Sequence, residues 1–329
     1  YTTLDMDAQN AAVAAMQNLP DFYTDKNGLH QPQGAIVAMN PHNGYIVAMV
    51  GGRGDDAFNR ATQAERQPGS TMKPFVYLAA IQSGKTPGSI VEDSPVSFGS
   101  WSPKNYENDY EGSITYRYAL QHSRNVAAVK IADEVGMTKV IKLAKEMGIS
   151  TLTDQDYNLS TALGGLTHGV TPLEMVQAYG VLANGGIKVQ PTAILKIVDR
   201  NGQVVEEHSI QEKRVVDEKD AAIITNMLES VINGGTGGNA AIGRPAAGKT
   251  GTTDDSKDAW FVGYTPDLVA AVWIGDDYGS ETLRGMTGGD TPAIMWGQFM
   301  ANALANTPAS DFPVPSSAQS DRKSTRLNS

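Results

Sequence analysis

The sequence of 329 residues contains no cysteine, no long apolar run and no excess of basic residues. Without cysteine the chain can form no disulfide and can use no thiolate as a nucleophile or metal ligand. No apolar stretch approaches the roughly 20 residues that a membrane-spanning helix needs. The formal charge is −10, from 36 acidic and 26 basic residues. Because a duplex-binding protein usually presents a basic face, nucleic acid is not an expected partner.

Histidine is scarce as well, and no metal- or nucleotide-binding motif is complete. The five histidines are scattered and show no His-Glu-x-x-His spacing, so we expect no metal site and no cofactor. The segment 234–238 is rich in glycine, but no strand leads into it and no Gly-Lys-Ser/Thr ends it, which predicts a flexible loop rather than a phosphate site. The remaining composition, 40% hydrophobic and 19% charged, is that of a globular protein with a large core.

The most informative stretch is Gly69–Pro74, which places Ser70 and Lys73 three residues apart where an apolar helical pattern begins. At that spacing both side chains lie on one helix face. A serine hydroxyl becomes a nucleophile when a nearby base takes its proton, and a desolvated lysine beside a second cation can be that base. The sequence therefore predicts Ser70 as a nucleophile at the positive end of a helix, with Lys73 as its base. The alternatives are a capping serine and a solvated surface lysine.

A second motif, Ser-x-Asn at Ser123 and Asn125, lies at a joint between helical stretches and occurs once in the chain. A hydroxyl at Ser123 can pass a proton toward a leaving nitrogen. An amide at Asn125 can hold both the substrate backbone and Lys73. The alternative is an ordinary helix-capping motif.

A third motif, Lys-Thr-Gly-Thr-Thr, begins at Lys249 on a strand-like run. An edge strand offers its backbone to an extended peptide, and Lys249 adds positive charge for a terminal carboxylate. The predicted substrate-binding residues are Thr250, Gly251, Thr252 and Thr253. The backbone N–H groups of Ser70 and Thr252 are predicted to form an oxyanion hole. The alternative is a structural strand with a glycine bulge.

Together, the three motifs resemble those of the penicillin-recognising serine acyltransferases, in the same order along the chain. From about residue 2 to about residue 305 the chain is similar to the transpeptidase domain of class A penicillin-binding proteins. Further similar segments are residues 103–112, 114–126, 164–175, 248–253 and 258–266. The resemblance implies that Ser70 attacks the carbonyl between the last two D-alanines of a peptidoglycan stem peptide. An amine of a neighbouring stem then completes the cross-link, and β-lactams trap the acyl-enzyme.

Three alternatives share parts of this chemistry. A D,D-carboxypeptidase would pass the acyl group to water. A serine β-lactamase needs a base for a deacylating water. Residues 156–160 resemble its Glu-x-x-Leu-Asn loop only loosely. A non-catalytic β-lactam sensor would keep drug binding and lose turnover. The fate of the acyl-enzyme separates these activities from transpeptidation.

The order of elements predicts an α/β fold of the α+β type. Residues 34–50 are expected to form a hairpin, residues 115–147 a helical region and residues 246–274 three strands. One antiparallel sheet of about five strands would then be built from both ends of the chain. Helices would cover its two faces, with an all-helical subdomain beside it, as in serine β-lactamases and transpeptidases.

We expect the chain to divide into three segments. Residues 1–33 are predicted to be a linker and a first helix that follow an upstream domain, and residues 34–305 the transpeptidase domain. Residues 306–329 are predicted to be a disordered tail, with non-native sequence at its end. The resemblance implies a membrane anchor and a glycosyltransferase domain missing from this chain, and action on the extracytoplasmic face of the bacterial cytoplasmic membrane. Stem peptides and β-lactams are the expected partners.

Overall fold

A computed structural model describes residues 1–318 of the chain. Its α-helices in that range are α1 (Met6–Met16), α2 (Arg60–Gln63), α3 (Lys73–Gln82), α4 (Tyr116–Gln121), α5 (Asn125–Val135), α6 (Met137–Met147), α7 (Pro172–Ala183), α8 (Glu218–Ile232) and α9 (Thr291–Ala303). Single turns of 3₁₀ helix cover Gly69–Met72, Asp154–Asp156, Leu159–Leu163, Gly238–Ala240 and Ser316–Ala318. Within the described residues, no helix is both long and apolar enough to span a bilayer.

The strands are β1 (Tyr23–Thr24), β2 (His30–Gln31), β3 (Gln33–Met39), β4 (Ile46–Val50), β5 (Ile90–Asp93), β6 (Gly112–Thr115), β7 (Ile187–Val189), β8 (Lys196–Val198), β9 (Val204–Glu207), β10 (Glu212–Arg214), β11 (Ala247–Thr252), β12 (Asp258–Tyr264) and β13 (Val269–Gly275). Five of them form one sheet in the order β11-β12-β13-β3-β4, with every neighbouring pair antiparallel. The N-terminal hairpin thus joins the three late strands, as predicted. β11, which carries the third motif, lies at one edge.

Helices cover both faces of this sheet. α1 and α9 pack on one face, where Ile36, Phe261 and Trp296 belong to one apolar cluster. On the other face α7 and α8 pack, and the side chains of Val37 and Trp260 join a larger cluster that continues into the helical region. Alternate strand residues therefore point into two cores, which explains why every residue of β12 and β13 is buried.

The helical region follows local sequence signals. α7 begins with a capping box, in which the Thr171 hydroxyl accepts from the Glu174 N–H at 3.2 Å and the Glu174 carboxylate accepts from the Thr171 N–H. Gly136, with φ of +94°, separates α5 from α6. α3 runs through the centre of the region and is buried from Lys73 to Ile81. It brings Lys73 into the core beneath the cleft described below.

One local expectation differs from the structure. Ser70 lies in a 3₁₀ turn before α3 rather than in the first turn of the α-helix. Pro74 has no N–H with which to bond the Ser70 carbonyl, so the Lys73 N–H donates to it instead and closes the tighter turn. Between α3 and α4 the chain also forms a short strand pair, β5 with β6.

Two contacts attach part of the segment that was expected to be disordered, between residues 306 and 318, to the domain. Phe312 is 9% exposed and meets the Tyr264 ring edge-on, with centroids 5.6 Å apart. Arg244 donates to the Thr307 carbonyl at 2.9 Å. One aromatic anchor and a few backbone contacts hold this segment, although its overall composition is polar. Residues 319–329, which include the end predicted to be non-native, lie outside the described residues, and the domain boundaries stay predictions.

Candidate active site

The three sequence motifs meet at one cleft of about 340 Å³ beside the edge strand β11. Residues from each motif line it: Ser70, Ser123, Asn125, Thr250 and Thr252. The two motif lysines, Lys73 and Lys249, are fully buried beneath it. The fold therefore brings together side chains that are far apart in the sequence.

Ser70 is held in a turn that rests directly on β11. Gly69 has φ of +56°, and a Cβ at this residue would lie 2.8 Å from the Thr252 carbonyl oxygen. A Cβ at Gly251 would lie 2.6 Å from the Pro68 carbonyl oxygen. Because both approaches are closer than a side chain permits, the two glycines set the position of Ser70 against the strand.

A second backbone contact supports the turn from the other side. Gly164 follows the 3₁₀ turn Leu159–Leu163 and has φ of +80°. A Cβ at Gly164 would lie 2.1 Å from the Gly69 carbonyl oxygen and 2.3 Å from the Gly69 nitrogen. The turn that carries the Ser70 hydroxyl is therefore packed between the backbones of Gly251 and Gly164.

Lys73 reaches from α3 toward the second motif. Its Nζ donates to the Ser123 carbonyl at 2.7 Å and to Asn125 Oδ1 at 2.6 Å, and it lies 3.0 Å from Ser123 Oγ. Burial holds the pKa of Lys73 well below its usual value, and the positive charge of Lys249 lowers this pKa further. The carboxylate of Asp254 acts in the opposite direction.

The contacts of a neutral Lys73 leave its lone pair to the third partner, the Ser123 hydroxyl, whose oxygen lies 3.0 Å from Nζ. A neutral amine has two hydrogens and one lone pair, and both the Ser123 carbonyl and Asn125 Oδ1 can only accept. These two bonds therefore use both hydrogens. Within residues 1–318 the Ser70 hydroxyl makes no hydrogen bond. General-base activation of a serine needs an amine lone pair and a hydroxyl within hydrogen-bond distance, and Lys73 meets this requirement with Ser123 Oγ.

Lys249 approaches the second motif from the sheet. Its Nζ donates to Ser123 Oγ at 2.9 Å and to the Thr250 carbonyl at 2.9 Å. Burial lowers the pKa of Lys249 to about 7. Ser123 Oγ thus lies between two lysine amines, at 3.0 Å from Lys73 and 2.9 Å from Lys249. This arrangement is a three-membered chain along which a proton can pass.

The residue between Ser123 and Asn125 anchors the second motif. Ser123 has φ of +54°, a left-handed conformation that costs energy for a side chain other than glycine. Arg124 Nε donates to Asp93 Oδ2 at 2.9 Å, and Arg124 Nη2 contacts Asp109 Oδ1 at 3.0 Å. Asp93 is fully buried, so this ion pair fixes the Ser123 turn from behind.

Asn125 is oriented by the loop that precedes β6. Its Nδ2 donates to the Lys104 carbonyl at 3.0 Å, which turns Oδ1 toward Lys73. Asn105 donates from Nδ2 to Asp93 and accepts the Val126 N–H at 3.1 Å. This accepted bond satisfies a free N–H at the start of α5.

Sequence reasoning did not find Asp93, Asn105 or Asp109. The signal closest to them was the similarity of residues 103–112 to a family loop. Asp93 lies 31 residues before Arg124 and has no motif around it. The partnership between these two residues can be read only from the folded chain.

The edge of β11 presents the third motif to the cleft. The Thr253 N–H bonds the Asp258 carbonyl at 3.1 Å, and because ladder bonds alternate along a strand, the backbone N–H of Thr252 points away from β12. Thr253 itself is not brought to the cleft. Its hydroxyl donates to Asp255 Oδ1 at 2.6 Å and accepts from the Lys257 N–H at 3.1 Å, so it holds the turn before β12.

Residues 34–283 match the family described as penicillin binding protein transpeptidase domain. The chain belongs to this family. The predicted fold class and the predicted family are confirmed, and a domain of this family is an acyltransferase enzyme.

Curated relatives of the transpeptidase domain carry the name penicillin-binding protein 1A. The protein from Rickettsia conorii is 38% identical over 316 residues, which cover 86% of this chain and 40% of the relative. The protein from Aquifex aeolicus is 40% identical over 292 residues, with the same two coverages. The chain thus spans about 40% of the length of these relatives.

Solved structures agree with this assignment. Penicillin-binding protein 1A from Haemophilus influenzae is 30% identical, with a TM-score of 0.82 over 89% of this chain and 52% of that chain. PonA1 from Mycobacterium tuberculosis, solved in complex with penicillin V, is 31% identical, with a TM-score of 0.85 over 96% of this chain and 88% of that chain.

The segment that loosely resembles a β-lactamase loop, residues 156–160, contributes a structural carboxylate from Asp156. Asp156 is 1% exposed. Its Oδ2 accepts from the Thr153 N–H at 2.7 Å, and its Oδ1 accepts from the Thr167 N–H at 2.8 Å and the Thr167 hydroxyl at 2.9 Å. These bonds hold the pKa of Asp156 below its usual value despite burial. A carboxylate that accepts this many bonds is poorly suited to activate water.

Proposed function

We propose that this domain is a serine D,D-transpeptidase, in which Ser70 forms an acyl-enzyme from a stem peptide that ends in D-Ala-D-Ala. The observation that carries the proposal is the position of Ser123 Oγ between the Lys73 and Lys249 amines, at 3.0 and 2.9 Å, in the cleft that Ser70 lines. This arrangement supplies a base and a proton donor beside one serine.

Acylation begins when the Lys73 lone pair takes the Ser70 proton. Ser70 Oγ bonds to the carbonyl carbon between the two D-alanines, and the resulting oxyanion is stabilised by the N–H groups of Ser70 and Thr252. Ser123 gives its proton to the leaving nitrogen, the C–N bond breaks and D-alanine departs. A proton from one of the lysines returns to Ser123, which restores the hydroxyl.

Substrate recognition rests on β11 and Lys249. The extended stem peptide adds as a further strand to the edge of β11 that is not paired with β12. Its terminal carboxylate meets the hydroxyls of Thr250 and Thr252 with the Lys249 charge behind them. A hydrogen bond to a charged group contributes about 1.5–3 kcal/mol, enough to select a free carboxylate over an uncharged end.

The second half of the reaction transfers the acyl group to an amine of a neighbouring stem, which cross-links two glycan strands. The acceptor amine loses a proton to the same base, its nitrogen replaces Ser70 Oγ on the carbonyl carbon, and the base passes the proton to the departing Ser70 oxygen. We place this reaction at the extracytoplasmic face of the cytoplasmic membrane. β-Lactams acylate the same serine, a proposal supported by the penicillin V complex of the PonA1 relative.

Incubation with a fluorescent penicillin tests the proposal. We expect one covalent adduct, which mass spectrometry maps to Ser70 and which Ser70→Ala abolishes without a loss of folded structure. Labelling at Ser123, or labelling that survives Ser70→Ala, would contradict the assignment.

A further inference from the structure

A glycine-rich loop that the proposed reaction does not use borders the cleft. Residues 234–238 contain one residue other than glycine, Thr236. A Cβ at Gly235 would lie 2.5 Å from the Gln121 carbonyl oxygen, and one at Gly237 would lie 3.0 Å from the Phe261 ring. The glycines on both sides of Thr236 are therefore required for close packing.

Hydrogen bonds fix the same loop at two points. The Thr236 N–H donates to the Gln121 carbonyl at 3.2 Å, at the end of the helix that leads to Ser123. The Gly237 N–H donates to the Val231 carbonyl at 2.9 Å, in α8. The predicted flexible loop is thus attached to both neighbouring helices, and it holds Thr236 in place.

Thr236 lines the cleft next to the third motif. Its Oγ1 lies 2.8 Å from Thr250 Oγ1, and either oxygen can donate. Thr250 is only 6% exposed, whereas Thr236 is exposed to the cleft. The pair therefore presents one buried and one open hydroxyl to the position proposed for the substrate carboxylate.

The hydroxyls of Thr236 and Thr250 can together donate one hydrogen bond to a ligand. Two hydroxyls carry two protons, and one of them is used in the bond between Thr236 and Thr250. Whichever residue donates that bond, the other proton remains available to a ligand. Thr252 is similar, because its Oγ1 accepts the Gly288 N–H at 3.0 Å and its own proton is left over.

We propose that Thr236 is a third hydroxyl for recognition of the substrate's terminal carboxylate, acting with Thr250 and Thr252. The inference rests on the proposed function, since it assigns a residue to the carboxylate site of that reaction. Its role is to bind or to orient: it either donates to the carboxylate or holds the Thr250 hydroxyl in the orientation that does. The carboxylate site built by the Lys-Thr-Gly motif therefore also includes Thr236, a residue from a separate loop.

The test compares a penicillin with its methyl ester on wild type, Thr236→Val and Thr236→Ser. Valine keeps the branched shape and removes the hydroxyl, whereas serine keeps the hydroxyl. We expect Thr236→Val to lower the second-order rate of acylation by the free acid about tenfold and to leave the rate with the ester within about twofold. Thr236→Ser is expected to retain the wild-type preference for the acid.

Two results would overturn the role of Thr236. One is an unchanged acid-to-ester ratio in Thr236→Val, and the other is an equal loss with both compounds that serine does not rescue. Mapping the adduct in wild type separates this proposal from the reaction itself. If wild type is not acylated at Ser70, the proposed function fails, whereas acylated wild type with an unchanged Thr236→Val ratio rejects only the third hydroxyl. Melting temperatures of both variants identify any loss that comes from unfolding.

Discussion

The two sides of the cleft are held in place by different forces. The nucleophile turn, residues 68–72, is fixed by backbone against backbone, with Gly164 pressed on Gly69. The segment Ser123–Asn125 is fixed by charged side chains, chiefly the buried pair of Arg124 and Asp93. Backbone packing sets a position by shape and leaves no room for an added atom. An ion pair can be weakened by degrees, so we expect the two sides to fail in different ways.

Gly164→Ala should disrupt the nucleophile turn, and it is the substitution for which we predict the largest effect. The new Cβ would lie 2.1 Å from the Gly69 carbonyl oxygen, at a residue whose φ of +80° also disfavours alanine. We expect the free energy of unfolding to fall by more than about 4 kcal/mol, and penicillin acylation to be lost. Chemical denaturation and labelling measure the two effects.

Gly165→Ala is the matched control for that substitution. A Cβ at Gly165 finds its nearest neighbour, the Ser160 carbonyl oxygen, at 3.5 Å, which is ordinary contact. We expect this variant to stay within about 1 kcal/mol of wild type. Equal losses at Gly164 and Gly165 would show that the backbone clamp is not what holds the turn.

Arg124→Ala should break the other side by removing one partner of a buried ion pair. Asp93 would be left charged and without its cation, which costs about 3–5 kcal/mol. The Ser123 turn would lose its anchor, so acylation should slow as well. Arg200→Ala, an exposed arginine in a hairpin turn, should have little effect.

A second substitution tests whether the charge of Asp93 is the cause. In the double variant Arg124→Ala, Asp93→Asn the uncompensated charge is gone, and part of the lost stability should return. If the double variant is less stable than Arg124→Ala by the full cost of the second change, the two residues are not coupled.

Lys249→Ala acts where the two sides meet, because Lys249 contacts Ser123 from the sheet. We expect acylation by a free-acid penicillin to slow about ten- to a hundredfold, and by its ester much less. The charge of Lys249 lowers the pKa of Lys73, so its removal raises that pKa. Lys73 must be neutral to act as base, and the acidic limb of the pH–rate profile should therefore move to higher pH. Equal slowing of acid and ester with an unmoved profile would contradict this role.

Much of this architecture could be predicted from local sequence. The capping box at Thr171 and the glycine break at Gly136 each carry their own physical signal within a few residues. The sheet followed from an early hairpin and three late strands. The spacing of Ser70 and Lys73 predicted one shared helix face, whereas Ser70 lines the cleft from a 3₁₀ turn and Lys73 is buried beneath it. The missing N–H of Pro74 explains that turn.

The remaining features depend on contacts between distant segments. Asp93 lies in a turn-rich stretch without periodicity, so nothing in the sequence pairs it with Arg124. Thr253 continues the third motif without a break, yet its hydroxyl serves the turn before β12. The polar composition around Phe312 predicted disorder, and it gave no sign that this one ring packs on Tyr264. In each case a long-range contact outweighs the local pattern.

The anchored segment after residue 305 gives the smallest predicted effect, because it lies away from both sides of the cleft. Phe312→Ala removes the ring that packs on Tyr264. We expect a loss of about 1–2 kcal/mol in stability, since the site is near the surface and can partly collapse, and an unchanged acylation rate. Asp311→Ala, an exposed neighbour, is the control. A stability equal to that of wild type would show that the packing of Phe312 on Tyr264 does not stabilise the fold.

Mass spectrometry of the enzyme during turnover of a D-Ala-D-Ala stem peptide with an added amine acceptor tests the central claim most directly. We predict an acyl-enzyme on Ser70 with the mass of the donor peptide less its terminal D-alanine. Its acyl group should then appear on the acceptor amine, and Ser70→Ala should form neither species. An adduct on another residue, or an acyl group that passes only to water, would contradict the account.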